Sequence, residues 1–167
     1  MEFITPFSNI TLHSKIILDT DIGYDPDDLF ALLFLVQIAG ERLQLIVTAN
    51  EVNGKRAQFA KMIVEELELN HVQVVQGASL GLDKFTVDSL VLDARYTVDT
   101  DYLESMKNIF DQEDSIIYIG IGGFTNLAHF IERHPDEAKK MNIFLMGGAI
   151  NYERQQDWVE YNIRIDP

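Results

Sequence analysis

The chain has 167 residues, with 13 Lys plus Arg against 27 Asp plus Glu, a formal charge of −14. Its 47% hydrophobic and 24% charged content suits one globular domain with a real core rather than a disordered chain. The acidic balance argues against a nucleic-acid face or an anionic-membrane surface, both of which need clustered Lys and Arg. The absence of cysteine excludes disulfides, thiolate catalysis and Cys-based zinc sites.

Residues 1–15 show no basic region followed by an apolar stretch, so a cytoplasmic location is expected. Asn9-Ile10-Thr11 matches a glycosylation triplet, and without a secretory signal it reads as a chance match. A β-rich run over 15–18 ends in Asp19-Thr20-Asp21, and a Gly/Pro loop follows. Asp27-Asp28 then opens an apolar stretch through Ala39. That stretch is too short to span a bilayer, which takes roughly 18 residues, so it reads as a buried helix. Its two leading carboxylates suit the capping of orphan N–H groups and the helix dipole. Gly40 ends it.

Residues 43–48 read as the second strand and 57–67 as a helix with Phe59, Met62, Ile63 and Leu67 on one face. A third strand is expected over 72–75. Residues 77–101 mix loop residues with short apolar runs and suit an insertion. Then come a helix over 102–110, a strand over 115–119, the Gly120-Ile121-Gly122-Gly123 turn and a helix over 125–133. Pro135 starts a short helix, and 141–146 is a strand ending at Gly147-Gly148. Strands and helices alternate, and the strands are apolar runs rather than alternating ones. The expected fold is α/β: a single domain over 1–167 with a mostly parallel, Rossmann-like sheet covered by helices on both faces.

In such sheets ligands bind at the carboxyl ends of strands. The unusual residues here follow strands: Asp19 and Asp21, Asn50, Thr125 and Gly147-Gly148. Asp19, Asp21, Asp25, Asp27 and Asp28 crowd into ten positions. Two carboxylates about 5 Å apart repel by roughly 3 kcal/mol at an effective dielectric of about 20, so a loop folded over several needs water, a helix N-terminus or a cation. A solvated turn with an N-cap is one reading. A hard cation, calcium or magnesium, held by oxygen ligands is the other. An EF-hand fails, because the twelfth position from Asp19 or Asp21 is Phe30 or Leu32, not Glu. A haloacid-dehalogenase-type, magnesium-dependent phosphatase places Asp-x-Asp-x-Thr after a strand, but Gly23 stands in the Thr position.

Asp19-Thr20-Asp21-Ile22-Gly23, followed by Asp27-Asp28 and Ala31-Leu32, resembles the N-terminal signature of the inosine–uridine-preferring nucleoside hydrolases, with two extra residues before the Asp pair. Further segments match in the family's order. Val47-Thr48-Ala49-Asn50 is similar to Thr-x-Gly-Asn. Gly122-Gly123-Phe124-Thr125-Asn126-Leu127-Ala128 is similar to Gly-Pro-Leu-Thr-Asn-Leu-Ala. Met146-Gly147-Gly148-Ala149 matches directly, and Glu160-Tyr161-Asn162-Ile163-Arg164-Ile165-Asp166-Pro167 is similar to Glu-Phe-Asn-Ile-x-x-Asp-Pro.

The resemblance implies hydrolysis of the N-glycosidic bond of ribonucleosides to ribose and free base, with calcium as cofactor and a calcium-held water deprotonated by an Asp. It assigns Asp21 as general base, and Asp21, Asp28 and the Thr125 backbone carbonyl as metal ligands. Asp27 and Asn50 would hold the ribose 2′ and 3′ hydroxyls, and Glu160 and Asn162 the ribose edge. Asp19 would support the loop. Asn50 can also be read as a turn residue, Thr125 as a helix N-cap, and Trp158 and Tyr161 as packing residues rather than base-stacking ones. His129 and His134 read as surface residues.

Family members are nearly twice as long, and the resemblance places a further metal-binding Asp and a His serving the leaving base in a second half. The family's additional ribose Asn has only Asn151 and Arg154 as imperfect candidates. The chain is therefore expected to correspond to the N-terminal half, working as a homo-oligomer or with a complementing second chain. The alternative of a different class is a non-catalytic calcium- or ribose-binding or interaction module.

Overall fold

A computed structural model describes residues 10–87, 96–110, 115–148 and 160–166. Asn9, Asn151, Arg154 and Trp158 lie outside the described residues. In chain order the elements are β1 (Lys15–Thr20), α1 (Asp27–Ala39), β2 (Leu43–Thr48), α2 (Lys55–Glu66), β3 (Gln73–Gln76), α3 (Tyr102–Phe110), β4 (Ile116–Gly120), α4 (Thr125–Arg133), α5 (Pro135–Ala138), β5 (Met141–Leu145) and α6 (Tyr161–Ile165). The strands form one sheet in the order β3-β2-β1-β4-β5, every pair parallel. This is the expected α/β, Rossmann-like arrangement.

Each inner strand is apolar on both faces because both faces are covered. Ile16, Leu18, Leu43 and Ile46 point into a core with Leu32 and Leu35 of α1 and Ala57, Ala60 and Val64 of α2. Ile17, Leu45, Val47 and Tyr118 point the other way, against Met106 and Phe110 of α3 and Leu127 and Phe130 of α4. Each such Leu or Ile contributes about 1.5–3 kcal/mol by leaving water.

Several expectations change in detail. Strands β1, β3 and β4 each run one or two residues beyond the expected ends, because parallel pairing continues while partners last: Thr20 pairs with Thr48, and Thr48 with Gln76. Helix α1 is half-buried rather than buried. A helix on one face of a sheet hides one stripe, so Leu32 and Leu35 are covered while Phe30 and Phe34 are 67% and 66% exposed. Asp27 and Asp28 sit in the first turn of α1 but make no side-chain cap bond; the N-cap position is Pro26. Helix α6 carried no sequence signal at five residues. The described parts of 77–101 run as loop, with a single bridge between Val75 and Asp99. This loop is fastened to the acidic turn: Thr86 N donates to Gly23 O at 2.8 Å, and Phe85 packs where a side chain on Gly23 would sit. Gly23 has φ +99°, so the threonine of the phosphatase motif would be strained there.

Candidate functional site

β1 has β2 on one side and β4 on the other, so the chain leaves the sheet centre in opposite directions and a crevice opens at the strand ends. Asp19, the last buried acid of β1, pairs with Val47 and Gly120 across the two neighbours. Its carboxylate accepts hydrogen bonds from the Tyr118 hydroxyl of β4 and from Asn126 Nδ2 of α4, the latter at 3.2 Å. Burial pushes this carboxyl up to about 7 despite those two donors.

Beyond Asp19 the chain enters a crevice that is open to solvent. Asp21, Asp25, Asp27 and Asp28 line it from the β1–α1 turn, and Glu160, Tyr161 and Asn162 from the start of α6; Tyr24, Ile121 and Met146 complete it. Asp21 and Asp28 are buried. The Thr20 hydroxyl donates to Asp28 Oδ1 at 2.5 Å. Burial, then the charge of Asp21, pushes the Asp28 carboxyl up to about 7. Burial also raises Asp21, with the Arg56 guanidinium pulling the other way. Gly122 makes this packing feasible. A Cβ there would stand 2.9 Å from Asp21 N and 3.1 Å from Asp21 Oδ1.

At the far wall Glu160 caps α6. Its carboxylate accepts from the backbone N of Asn162 at 3.1 Å and of Ile163 at 3.2 Å. Asn162 Nδ2 donates to Ile121 O and Met146 O, tying α6 to the ends of β4 and β5. The Tyr161 ring stacks on Tyr24 with centroids 6.3 Å apart, and both line the crevice.

Thus the structure gathers five of the seven residues singled out from sequence, Asp21, Asp27, Asp28, Glu160 and Asn162, into one crevice. Asn50 and Thr125 stand outside its lining. Asn50 follows β2 in the left-handed region at φ +49°, and its buried Oδ1 has no partner among the described residues. Thr125 is the first residue of α4 rather than its N-cap, and both its N–H and its hydroxyl donate to the Asp166 carboxylate, at 2.5 and 2.6 Å.

Sequence reasoning missed the residues that brace the site. Arg56 of α2 is fully buried and donates to the carbonyls of Asp21, Ile22, Asn50 and Lys84. Glu51 accepts from the Thr48 hydroxyl and from the backbone N of Val52 and Ala57. Asn126 links Asp19, Thr48 O and Ala78 N. The available signals were Arg56 beside the inward-facing Ala57 and Asn126 inside a quoted motif. Both types more often decorate a surface.

Oxygen donors on two buried carboxylates whose pKa values are raised by burial suit a hard cation in kind. The described residues contain no group of three or more acidic or His side chains placed to hold a metal ion. The carboxylates present would therefore be a partial shell, completed by water, carbonyls or a ligand's hydroxyls.

The family profile of the inosine-uridine preferring nucleoside hydrolases matches residues 16–167. No curated protein matches. Among solved structures, the effector protein XOO4466 superposes with a TM-score of 0.75 at 25% identity, covering 96% of this chain and 51% of its own. A purine-preferring ribonucleoside hydrolase from Gardnerella vaginalis gives 0.72 at 24% identity, covering 92% and 55%. A plant nucleoside hydrolase gives 0.71 at 24% identity, covering 93% and 54%. The chain spans about half the length of the solved structures it matches.

Proposed function

The chain belongs to the inosine–uridine preferring nucleoside hydrolase family, and we propose that its acidic crevice takes part in hydrolysing the N-glycosidic bond of ribonucleosides. The observation that carries this reading is the convergence of Asp21, Asp27, Asp28, Glu160 and Asn162 on one crevice at the β1–β4 switch point. Breaking the bond between C1′ and the base nitrogen leaves positive charge on the sugar, and the base departs with the bonding pair. A wall of carboxylates stabilises that charge.

Asp21 accepts the proton of the water whose oxygen attacks C1′. Asp27 accepts from the ribose hydroxyls, and Asn50, whose buried Oδ1 has no partner among the described residues, is assigned to the same group. Glu160, fixed by its cap bonds, and Asn162, fixed by two carbonyls, border the sugar's far edge. Asp21, Asp28 and the Thr125 carbonyl would hold calcium, which supplies a Lewis acid that eases deprotonation of water and anchors the sugar. The stacked rings of Tyr24 and Tyr161 line the same crevice and offer an aromatic surface to the departing base.

Incubating the purified chain with inosine, uridine or other ribonucleosides, with calcium or with EDTA, and measuring reducing sugar tests this reading. Calcium-dependent release that falls by about 10²–10⁴ in Asp21→Asn supports it. Undiminished release by Asp21→Asn, or calcium-independent release, refutes the assigned roles. Phosphate release from phosphomonoesters in magnesium would favour the phosphatase chemistry instead.

A further inference from the structure

Arg56 is a buried cation reached by no sequence motif, and the mechanism above does not use it. Its side chain runs from the first turn of α2 into the space between three loops. Nε donates to Asn50 O at 2.8 Å, Nη1 to Ile22 O at 2.9 Å and to Asp21 O, and Nη2 to Lys84 O at 2.8 Å. Four main-chain acceptors on one guanidinium fix it in the plane of its fork, and a lysine ammonium cannot copy that geometry. Two of the four belong to residues assigned to the site, and they come from different loops. Asp21 lies beyond β1 and Asn50 beyond β2. The loop carrying Lys84 is also bonded to the acidic turn through Thr86 and Gly23. Around Arg56 stand Asp21, Glu51 and Asp28, whose charges offset the cost of burying the cation.

We propose that Arg56 is a positioning residue that locks the Asp21 turn, the Asn50 turn and the Lys84 loop into one rigid unit. A ligand engaging the Asp21 turn then also orders the Asn50 turn. The functional half of this inference rests on the proposed calcium and ribose roles; the structural half does not.

Two measurements separate them. In calcium-free protein, amide hydrogen exchange is compared between the wild type and Arg56→Lys, which keeps the charge and loses the fork. Glu51 N, bonded to Ala78 O, and Thr86 N, bonded to Gly23 O, report on the two loops flanking the clamp. Both should exchange roughly tenfold faster in the variant, while core amides of β1 and β4 stay protected. Unchanged exchange at both overturns the proposal. If Arg56→Lys fails to fold, Arg56→Gln, which keeps one N–H₂ donor group and loses the charge and the fork, takes its place.

Second, calcium affinity by calorimetry and the KM and kcat for inosine are read on the same variant. Loss of this support should weaken calcium binding and raise KM together by roughly tenfold or more. Restoration of both by added guanidinium ion would point to the missing fork. Faster loop exchange with calcium affinity and KM unchanged overturns the positioning role and leaves Arg56 a fold element. Absence of calcium binding by the wild type sinks the proposed function instead, and the calcium-free exchange still decides whether the clamp exists.

Discussion

The Thr20 hydroxyl lies 2.5 Å from Asp28 Oδ1 and joins the last residue of β1 to the first turn of α1 across the acidic turn. It is a buried donor directed at a carboxyl that burial already disfavours in its charged form. Thr20→Val removes the donor and keeps the shape. The variant should lose about 1–3 kcal/mol of stability by urea unfolding at neutral pH. An unchanged midpoint would show that water replaces the hydroxyl.

Stability should fall as pH rises through the acidic range. Asp19 and Asp28 have an ordinary carboxyl pKa of 3.8 and folded values pushed to about 7 by burial. Between those limits the native chain keeps protons that the unfolded chain has released, so raising the pH favours unfolding. The contribution is complete below 3.8 and lost on passing about 7. Each group accounts for at most about 1.4 kcal/mol per pH unit in that window. Thermal unfolding in EDTA should show a midpoint that declines from mildly acid to neutral pH. Calcium favours the ionised carboxylates, so the increment it adds should grow over the same range. A midpoint in EDTA that climbs toward neutrality contradicts this.

Gly122→Ala tests the fit of the crevice floor. The added carbon would stand 2.9 Å from Asp21 N and 3.0 Å from Ala49 Cβ, and neither belongs to a long, flexible side chain. The β1–α1 turn must shift, at about 1–3 kcal/mol. Calorimetric calcium binding should weaken more in this variant than in Gly81→Ala, where φ +75° strains the backbone but no atom stands within 4 Å of the added carbon. Equal affinity in the two would mean that Asp21 accommodates the intrusion.

Thr125→Val should loosen α6 selectively. The hydroxyl donates to Asp166 at 2.6 Å, and Asp166 closes the helix that presents Glu160 and Asn162. Losing that bond costs about 1 kcal/mol, and the remaining N–H contact holds alone. Amide exchange at Arg164, bonded to Glu160 O, and at Asp166, bonded to Asn162 O, should quicken while α1 and α2 are unaffected. Global destabilisation without local quickening would place the contribution elsewhere.

Where residue type and period determine structure, the chain could be read directly. Helices α1, α3 and α4 and strand β2 fall where their apolar patterns and bounding Gly, Pro or acidic residues place them. The acidic loop was legible because its carboxylates follow a strand in an α/β alternation, and five of the seven singled-out side chains share its crevice. Contacts set by distant chain were not legible. Asp19 meets Tyr118 and Asn126 from far along the sequence, and Arg56 meets three loops at once. Short α6 is held by its Glu160 cap and by Asn162 reaching two strand ends, neither of which has a periodic signature.

The pairing of β1 with β4 has a kinetic consequence. Lys15 meets Ile116 and Asp19 meets Gly120, so the ridge beneath the crevice closes only when a span of about 100 residues is looped together. Such remote pairing carries its entropic cost before any stabilising contact is gained, and it slows folding. The acidic β1–α1 turn is therefore synthesised well before β4 can pair with β1, and the crevice is among the last parts of the fold to be completed.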